Sequence, residues 1–214
     1  MRKKIIITGG LGYIGTELCK IYSGVSWHHQ IIIIDNRFIS ERVNQIRNWN
    51  MEFVHGDILD KDLVKKYFRD ADIVHHLAGV TDVPRTQGEA TKVKDDNIKL
   101  VGENGTQNIL EAISEKCKII FPSTHVIYEG ISEIKKEIKE EEQSKPVLSY
   151  SLSKAANEKQ LKDSGKNYII LRLGSVYGYS LDTTRIDIMP NLFSKISSQN
   201  GTLRLFSGGR QIKS

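Results

Sequence analysis

The sequence predicts an α/β protein organised as a doubly wound parallel sheet, and three features predict it. Short runs rich in Ile, Val and Leu alternate with longer stretches of helical character. Those runs are near-continuous in apolar residues, as strands covered on both faces require. The first of them ends in a glycine-rich turn that opens directly into a helix-like stretch.

Taken in order, the strands fall at residues 4–8, 30–35, 52–55, 73–76, 118–122 and 168–173. Helices are expected at 13–22, 60–68, 93–114 and 150–162. Right-handed crossovers between parallel strands place the loops that follow the strands along one edge of the sheet. Residues 129–145 are rich in Glu and Lys, carry no apolar period, and read as a solvated loop.

The 214 residues bury a full core and suggest one domain, or one domain with an incomplete second. Hydrophobic residues at 39% and charged residues at 27% fit a soluble globular protein. The longest apolar run, Ile31 to Ile34, is far too short to span a bilayer. The basic start Met1-Arg2-Lys3-Lys4 imitates a signal peptide, but its apolar stretch breaks at Thr8-Gly9-Gly10. A cytoplasmic protein is therefore expected, with no membrane association. Cys19 and Cys117 show no metal-ligand spacing and read as reduced thiols in a helix and a buried strand. No metal is expected. The net charge of +5 suits an anionic ligand, but without a basic cluster interleaved with aromatics it does not indicate nucleic acid.

Gly9, Gly12 and Gly15 stand at the junction of the first strand and helix. Without Cβ atoms this backbone can turn tightly and approach a pyrophosphate. The phosphate charge then meets free N–H groups and the positive end of the helix dipole. Asp35 closes the second strand 20 residues after Gly15, where a carboxylate accepts hydrogen bonds from the adenosine ribose hydroxyls. It would repel a 2′-phosphate, so NAD is favoured over NADP, with Arg37 softening the preference.

A second constellation lies later in the chain. Tyr150 and Lys154 are four residues apart, so on a helix they share a face with Cβ atoms about 6 Å apart. A tyrosine ionises near pH ~10, too high for a base at neutral pH. A neighbouring ammonium and an oxidised nicotinamide would lower that value.

The run Thr8-Gly9-Gly10-Leu11-Gly12-Tyr13-Ile14-Gly15, followed by Asp35-Asn36, resembles the extended short-chain dehydrogenase/reductase family, a Rossmann-fold group of nucleotide-sugar epimerases and dehydratases. Further matches follow in order: Gly56-Asp57-Ile58, His76-Leu77-Ala78-Gly79, the stretch from Gly105 to Ala112, and Leu171-Arg172-Leu173-Gly174-Ser175-Val176-Tyr177-Gly178. Phe121 to Tyr128 resembles the segment holding the family's catalytic hydroxyl, which falls on Thr124.

The resemblance implies catalytic residues Thr124, Tyr150 and Lys154. It implies an NAD site formed by Gly9, Gly12, Tyr13, Ile14, Gly15, Asp35, Asn36, Asp57, Ile58, Leu77, Ala78, Gly79, Tyr150 and Lys154. Substrate contacts fall on Thr81, Thr124 and Ser175. The implied reaction is epimerisation of a UDP- or other NDP-sugar by transient hydride transfer to NAD. A small-carbonyl ketoreductase and a non-catalytic NAD-binding sensor are the alternatives, and a homodimer built on the helices at 93–114 and 150–162 is the implied assembly.

Four departures from the family pattern bear on the implication. Dehydratases of the family carry Asp-Glu after the catalytic threonine; His125 and Val126 stand there in this chain, which argues against water elimination. Ser175 replaces an asparagine that touches the substrate's phosphates, and Gly102 replaces an asparagine on the long helix. Glu129 replaces the common glycine after Tyr128. The expected organisation is an NAD-binding domain over residues 1–178 and a partial, apparently truncated substrate region over 179–214.

Overall fold

The computed structural model describes residues 1–80, 90–182, 185–186 and 188–210. Six parallel strands form one sheet: β1 (Lys4–Thr8), β2 (Gln30–Asp35), β3 (Glu52–His55), β4 (Ile73–His76), β5 (Lys118–Thr124) and β6 (Asn167–Leu173). Their order is β3-β2-β1-β4-β5-β6. The chain winds outward from β1 to β3, then crosses to the other side of β1 and winds outward again. The crevice at this reversal, above the carboxyl ends of β1 and β4, is where an open α/β sheet binds its ligand.

Alternation along the strands divides the core. Ile6, Ile32, Ile34, Val74, Ile119 and Phe121 face α3 (Lys61–Phe68), α5 (Gly105–Ala112) and α6 (Ser149–Asp163). Ile5, Ile7, Ile31 and Ile33 face α1 (Tyr13–Ser23) and α2 (Ser40–Asn48). Both faces of the inner strands are thus covered, which is why their sequences lack polar alternation. At the β6 edge the cover ends: Tyr168, Ile169 and Leu171 remain 37%, 40% and 43% exposed. Among the described residues no helix is long and apolar enough to cross a membrane.

The six predicted strands are all present, with β5 running on to Thr124 and β6 starting at Asn167. The helix expected over 93–114 is divided into α4 (Lys92–Lys99), a wide π turn at Leu100–Asn104, and α5. Gly102 lies in this turn, where a Cβ would be 2.3 Å from Ser153 Oγ, so glycine lets α6 pack here without Ser153 swinging aside. The widened turn directs the Gly102 and Glu103 carbonyls at the Asn157 and Gln160 amides, each 3.0 Å away.

Two helices were not expected. α2 buries only Val43 and Ile46, too few to register as a period. α7 (Met189–Ser198) has no buried residue. Cys19 lies in α1 as expected, whereas Cys117 sits just before β5 rather than within it. Both thiols are free and buried, and burial pushes their pKa values up to about 12 and about 11.

Candidate active site

The glycine turn presses against the neighbouring strand exit. Gly9 adopts φ +66°, and a Cβ on it would meet the Ala78 backbone nitrogen at 2.8 Å. A Cβ on Gly15 would lie 2.3 Å from the Gly9 carbonyl oxygen. Gly12 donates to Gly9 O at 3.0 Å and accepts from Thr16 N at 2.9 Å, which starts α1 directly above the turn. Gly12, at the N-terminal cap, offers no side-chain oxygen, and no acidic residue occupies the first turn. The positive end of α1 therefore faces the crevice uncompensated, a cradle whose shape and charge fit a pyrophosphate.

Asp35, 5% exposed at the end of β2, spans this cradle from the side. Its Oδ2 accepts Leu11 N at 2.9 Å and its Oδ1 accepts Arg37 N at 2.9 Å. An ionised carboxylate has about four acceptor positions, so capacity remains for ribose hydroxyls. The Arg37 guanidinium lies between Asp35 and Asp182, 3.4 Å and 3.5 Å from their carboxylates. Asn36 donates to Asp57 Oδ2 at 3.0 Å, joining the exits of β2 and β3. The Ile58 side chain is buried in the core and packs against Gly105, so only its backbone is left to face a ligand.

The β4 exit is held from below. The Thr8 hydroxyl accepts Ala78 N at 3.0 Å and pairs with His76 Nδ1 at 3.1 Å. His76 Nε2 pairs with Thr106 Oγ1 at 3.0 Å. Burial, aided by the charge of Lys154, pushes the His76 pKa down to about 3, so the ring is a neutral strut. Leu77 packs against the core, while Gly79 is exposed. Thr81 lies outside the described residues.

Tyr150 and Lys154 occupy one face of α6, with the Lys154 nitrogen 5.9 Å from the centre of the Tyr150 ring. Lys154 donates to the Pro122 carbonyl at 2.8 Å and lies 4.4 Å from the centre of the Phe121 ring. Thr124 ends the same strand, buried, with its Oγ1 accepting Val126 N at 3.3 Å. Burial lowers the Lys154 pKa to about 8. The expected lowering of the Tyr150 pKa also invokes an oxidised nicotinamide; the protein's own groups do not by themselves lower it. Burial raises it, Arg185 opposes that rise, and the Lys154 ammonium is turned to the Pro122 carbonyl.

Four residues beyond Lys154, Glu158 is a buried hub that the sequence reading passed over. It takes a forked pair of bonds from Arg172 at 2.9 Å and 2.7 Å, and a bond from Ser123 at 2.6 Å. Burial would raise its carboxyl, but the Arg172 and Ser123 hydrogen bonds, with Arg172 and Lys162 charges, hold it below the ordinary range. Arg172 also reaches the Tyr128 hydroxyl and Glu140 O. The only sequence signal was the i, i+4 continuation of Tyr150 and Lys154 to an acidic residue.

The 129–145 excursion has no helix or strand, as expected, yet it is tied down. Gly130 N donates to Lys145 O at 2.9 Å, and Lys145 N to Ile127 O at 2.8 Å. His125 pairs with Leu173 O at 3.1 Å, bracing the β5 and β6 exits. Beyond β6, Ser175 is half-buried. The chain then crosses to the glycine turn: Tyr13 donates from its hydroxyl to Gly178 O, and Ser180 donates to Tyr13 O at 3.1 Å. Arg42, whose guanidinium also bonds Leu11 O, holds Leu181 O at 3.1 Å and Asp182 at 3.3 Å. Ile14 is exposed beside this crossing.

A six-stranded doubly wound sheet with a glycine cradle at its switch point defines a dinucleotide-fold protein. More particularly, residues 5–213 match the model of the NAD dependent epimerase/dehydratase family, and the chain belongs to that family. It is 29% identical over 197 residues to a dTDP-D-glucose 4,6-dehydratase of Dictyostelium discoideum, covering 82% of this chain and 44% of that protein. It is 30% identical over 135 residues to a UDP-glucose 4-epimerase of Neisseria meningitidis, covering 59% of this chain and 38% of the relative. The structure of the UDP-glucuronic acid 4-epimerase of Bacillus cereus, in complex with UDP-glucuronic acid and NAD, superimposes with a TM-score of 0.77 at 27% identity. That match covers 97% of this chain and 67% of the other. The aligned chain thus spans less than half of these curated relatives and about two thirds of the solved structure.

Proposed function

We propose that this chain is an NAD-dependent nucleotide-sugar epimerase that works by transient hydride transfer at a sugar carbon. The observation that carries the reading is the placement of Tyr150 and Lys154 on one face of α6, packed against the strand that ends in Thr124. NAD, when bound, takes up the hydride and returns it. Gly9, Gly12 and Gly15 would hold its pyrophosphate against the α1 N-terminus, and Asp35 its adenosine ribose, with the Asn36–Asp57 pair beside the adenine.

Lys154 would bind the nicotinamide ribose. Tyr150 is the proton acceptor from the sugar hydroxyl, and the Thr124 hydroxyl orients that oxygen by hydrogen bonding while the proton moves. The raised pKa of Tyr150 gives the phenol a task for a cation: positive charge brought into the closed crevice favours the phenolate. Residues 1–178 carry this machinery. The 179–214 segment, with Ser175 before it, contributes to the side that holds the sugar nucleotide.

Epimerisation is favoured over dehydration by the residues after Thr124. His125 is engaged with Leu173 O and Val126 has no ionisable group, so the site lacks the adjacent acid and base that elimination of water needs. The test is a proton NMR assay of the NAD-loaded chain with UDP-glucose, UDP-N-acetylglucosamine and UDP-glucuronic acid in turn. Appearance of the 4-epimer of one of them supports the proposal. A folded, NAD-loaded sample that converts none, while reducing a small ketone with added NADH, replaces it with the ketoreductase reading.

A further inference from the structure

α6 begins without a cap of its own. Its N-cap position is Leu148, which has no side-chain acceptor, and its first turn holds no acidic residue. The free N–H groups at such an end need acceptors from elsewhere. One comes from far upstream in the chain: Glu129 Oε1 accepts the N–H of the N-cap residue Leu148 at 2.7 Å, and that of Val147 just before it at 2.9 Å. The same oxygen accepts the hydroxyl of Ser151, a residue only 1% exposed. Ser151 also accepts Val147 N at 3.2 Å, and its single hydroxyl proton is shared between Glu129 and Leu148 O, 2.8 Å away, closing a small network around the first turn.

Tyr150 lies inside that network, between Leu148 and Ser151. Glu129 is itself fixed, because Tyr128 before it bonds Arg172 and Lys139 O, and Gly130 after it bonds Lys145 O. We propose that Glu129 is a positioning residue for Tyr150, anchoring the first turn of α6 so that the phenol stays buried and aimed into the crevice. The proposal rests on the functional reading above for the importance of Tyr150, but the geometry it describes does not. It assigns a task to the residue that stands where a glycine, unable to supply any side-chain acceptor, is the common choice. Arg185 after β6 is the charged group that acts on the Tyr150 titration, and the Lys154 nitrogen on the same helix lies 5.9 Å from the ring centre.

The test compares Glu129→Ala with Glu129→Gln, since the amide keeps the accepting oxygen and loses only the charge. The phenol of Tyr150 is titrated by ultraviolet absorbance, each variant being referenced to the same chain carrying Tyr150→Phe, with circular dichroism to mark the folded range. Anchoring predicts that Glu129→Ala moves the Tyr150 pKa down toward the ordinary tyrosine value of about 10, while Glu129→Gln leaves it raised. Amide exchange at Val147 and Leu148 should quicken at least about tenfold in the alanine variant only. In the NAD-loaded enzyme, Glu129→Ala should lower kcat about tenfold with KM within about twofold, and Glu129→Gln should recover most of that loss.

An unmoved Tyr150 titration in Glu129→Ala overturns the proposal, whatever the enzyme catalyses. Equal downward shifts in both variants also overturn it, because they mark a through-space charge effect. If the titrations and exchange rates come out as expected but the wild-type chain transfers no hydride, the anchoring stands and the epimerase reading falls.

Discussion

The Lys154 ammonium is buried with the Pro122 carbonyl oxygen 2.8 Å away as its acceptor. This contact fixes a cation two residues before Thr124 and one helical turn from Tyr150. Burial leaves its pKa at about 8 against an ordinary 10.5. Between those values the unfolded chain holds a proton that the folded chain does not, so stability rises with pH across that window.

The first prediction follows from that sign. The stability of the wild-type chain, relative to Lys154→Met, should improve as pH rises from about 8 to about 10.5. The shift corresponds to about 3 kcal/mol as an upper figure. Urea unfolding of both chains at several pH values measures it; a difference that is flat with pH would mean that Lys154 is not held as described.

Replacing Tyr150 with Phe removes the proposed proton acceptor and little else. The ring and its packing on α6 are kept, so NAD affinity should stay within a few-fold. Turnover should fall by about 10²–10⁴, the usual share of general acid–base catalysis. Calorimetry and the NMR assay together separate the two effects.

Glu158 is 4% exposed and pairs with Arg172 through a forked contact. Truncating it to Ala strands the Arg172 guanidinium, whose side chain is 17% exposed, and breaks the tie between α6, β5 and β6. Removing one partner of a buried pair typically costs about 3–5 kcal/mol. Chemical denaturation of Glu158→Ala should show a loss of that order. A loss under about 1 kcal/mol would place the pair among ordinary surface contacts.

Gly15→Ala tests the cradle. Its methyl group would lie 2.3 Å from Gly9 O and 2.6 Å from Gly10 Cα, both backbone atoms that cannot swing aside. The turn must shift, and dinucleotide binding should weaken at least about tenfold. An alanine chain that binds as tightly as wild type would mean that the turn is not the binding surface.

Much of this is legible in the sequence alone. The runs at Ile5–Ile7 and Ile31–Ile34 are apolar on both faces, so strand, parallel neighbour and buried position all follow from composition. The glycines at 9, 12 and 15 were legible because the absence of a side chain is itself the signal. What was hidden is of another kind. α2 and α7 bury too little to leave a period, and the π turn at Leu100–Asn104 leaves no mark in the apolar pattern. Glu158 looks like one more acidic residue in a charged chain, and Glu129 stands out only as a replacement for a glycine. Their partners, Arg172 for one and the α6 N-terminus for the other, are distant in sequence and are set only by the fold. The burial of Tyr150, which raises its pKa, is likewise not revealed by the spacing of Tyr150 and Lys154.

The central claim is that the crevice above β1 and β4 is an NAD site, and calorimetric titration of the chain with NAD and NADP tests it most directly. The account predicts NAD binding in the micromolar range, about −8 kcal/mol, with weaker binding of NADP because Asp35 would face the ribose, and NAD binding at least about tenfold weaker in Gly15→Ala. A folded wild-type chain that binds neither dinucleotide would contradict it.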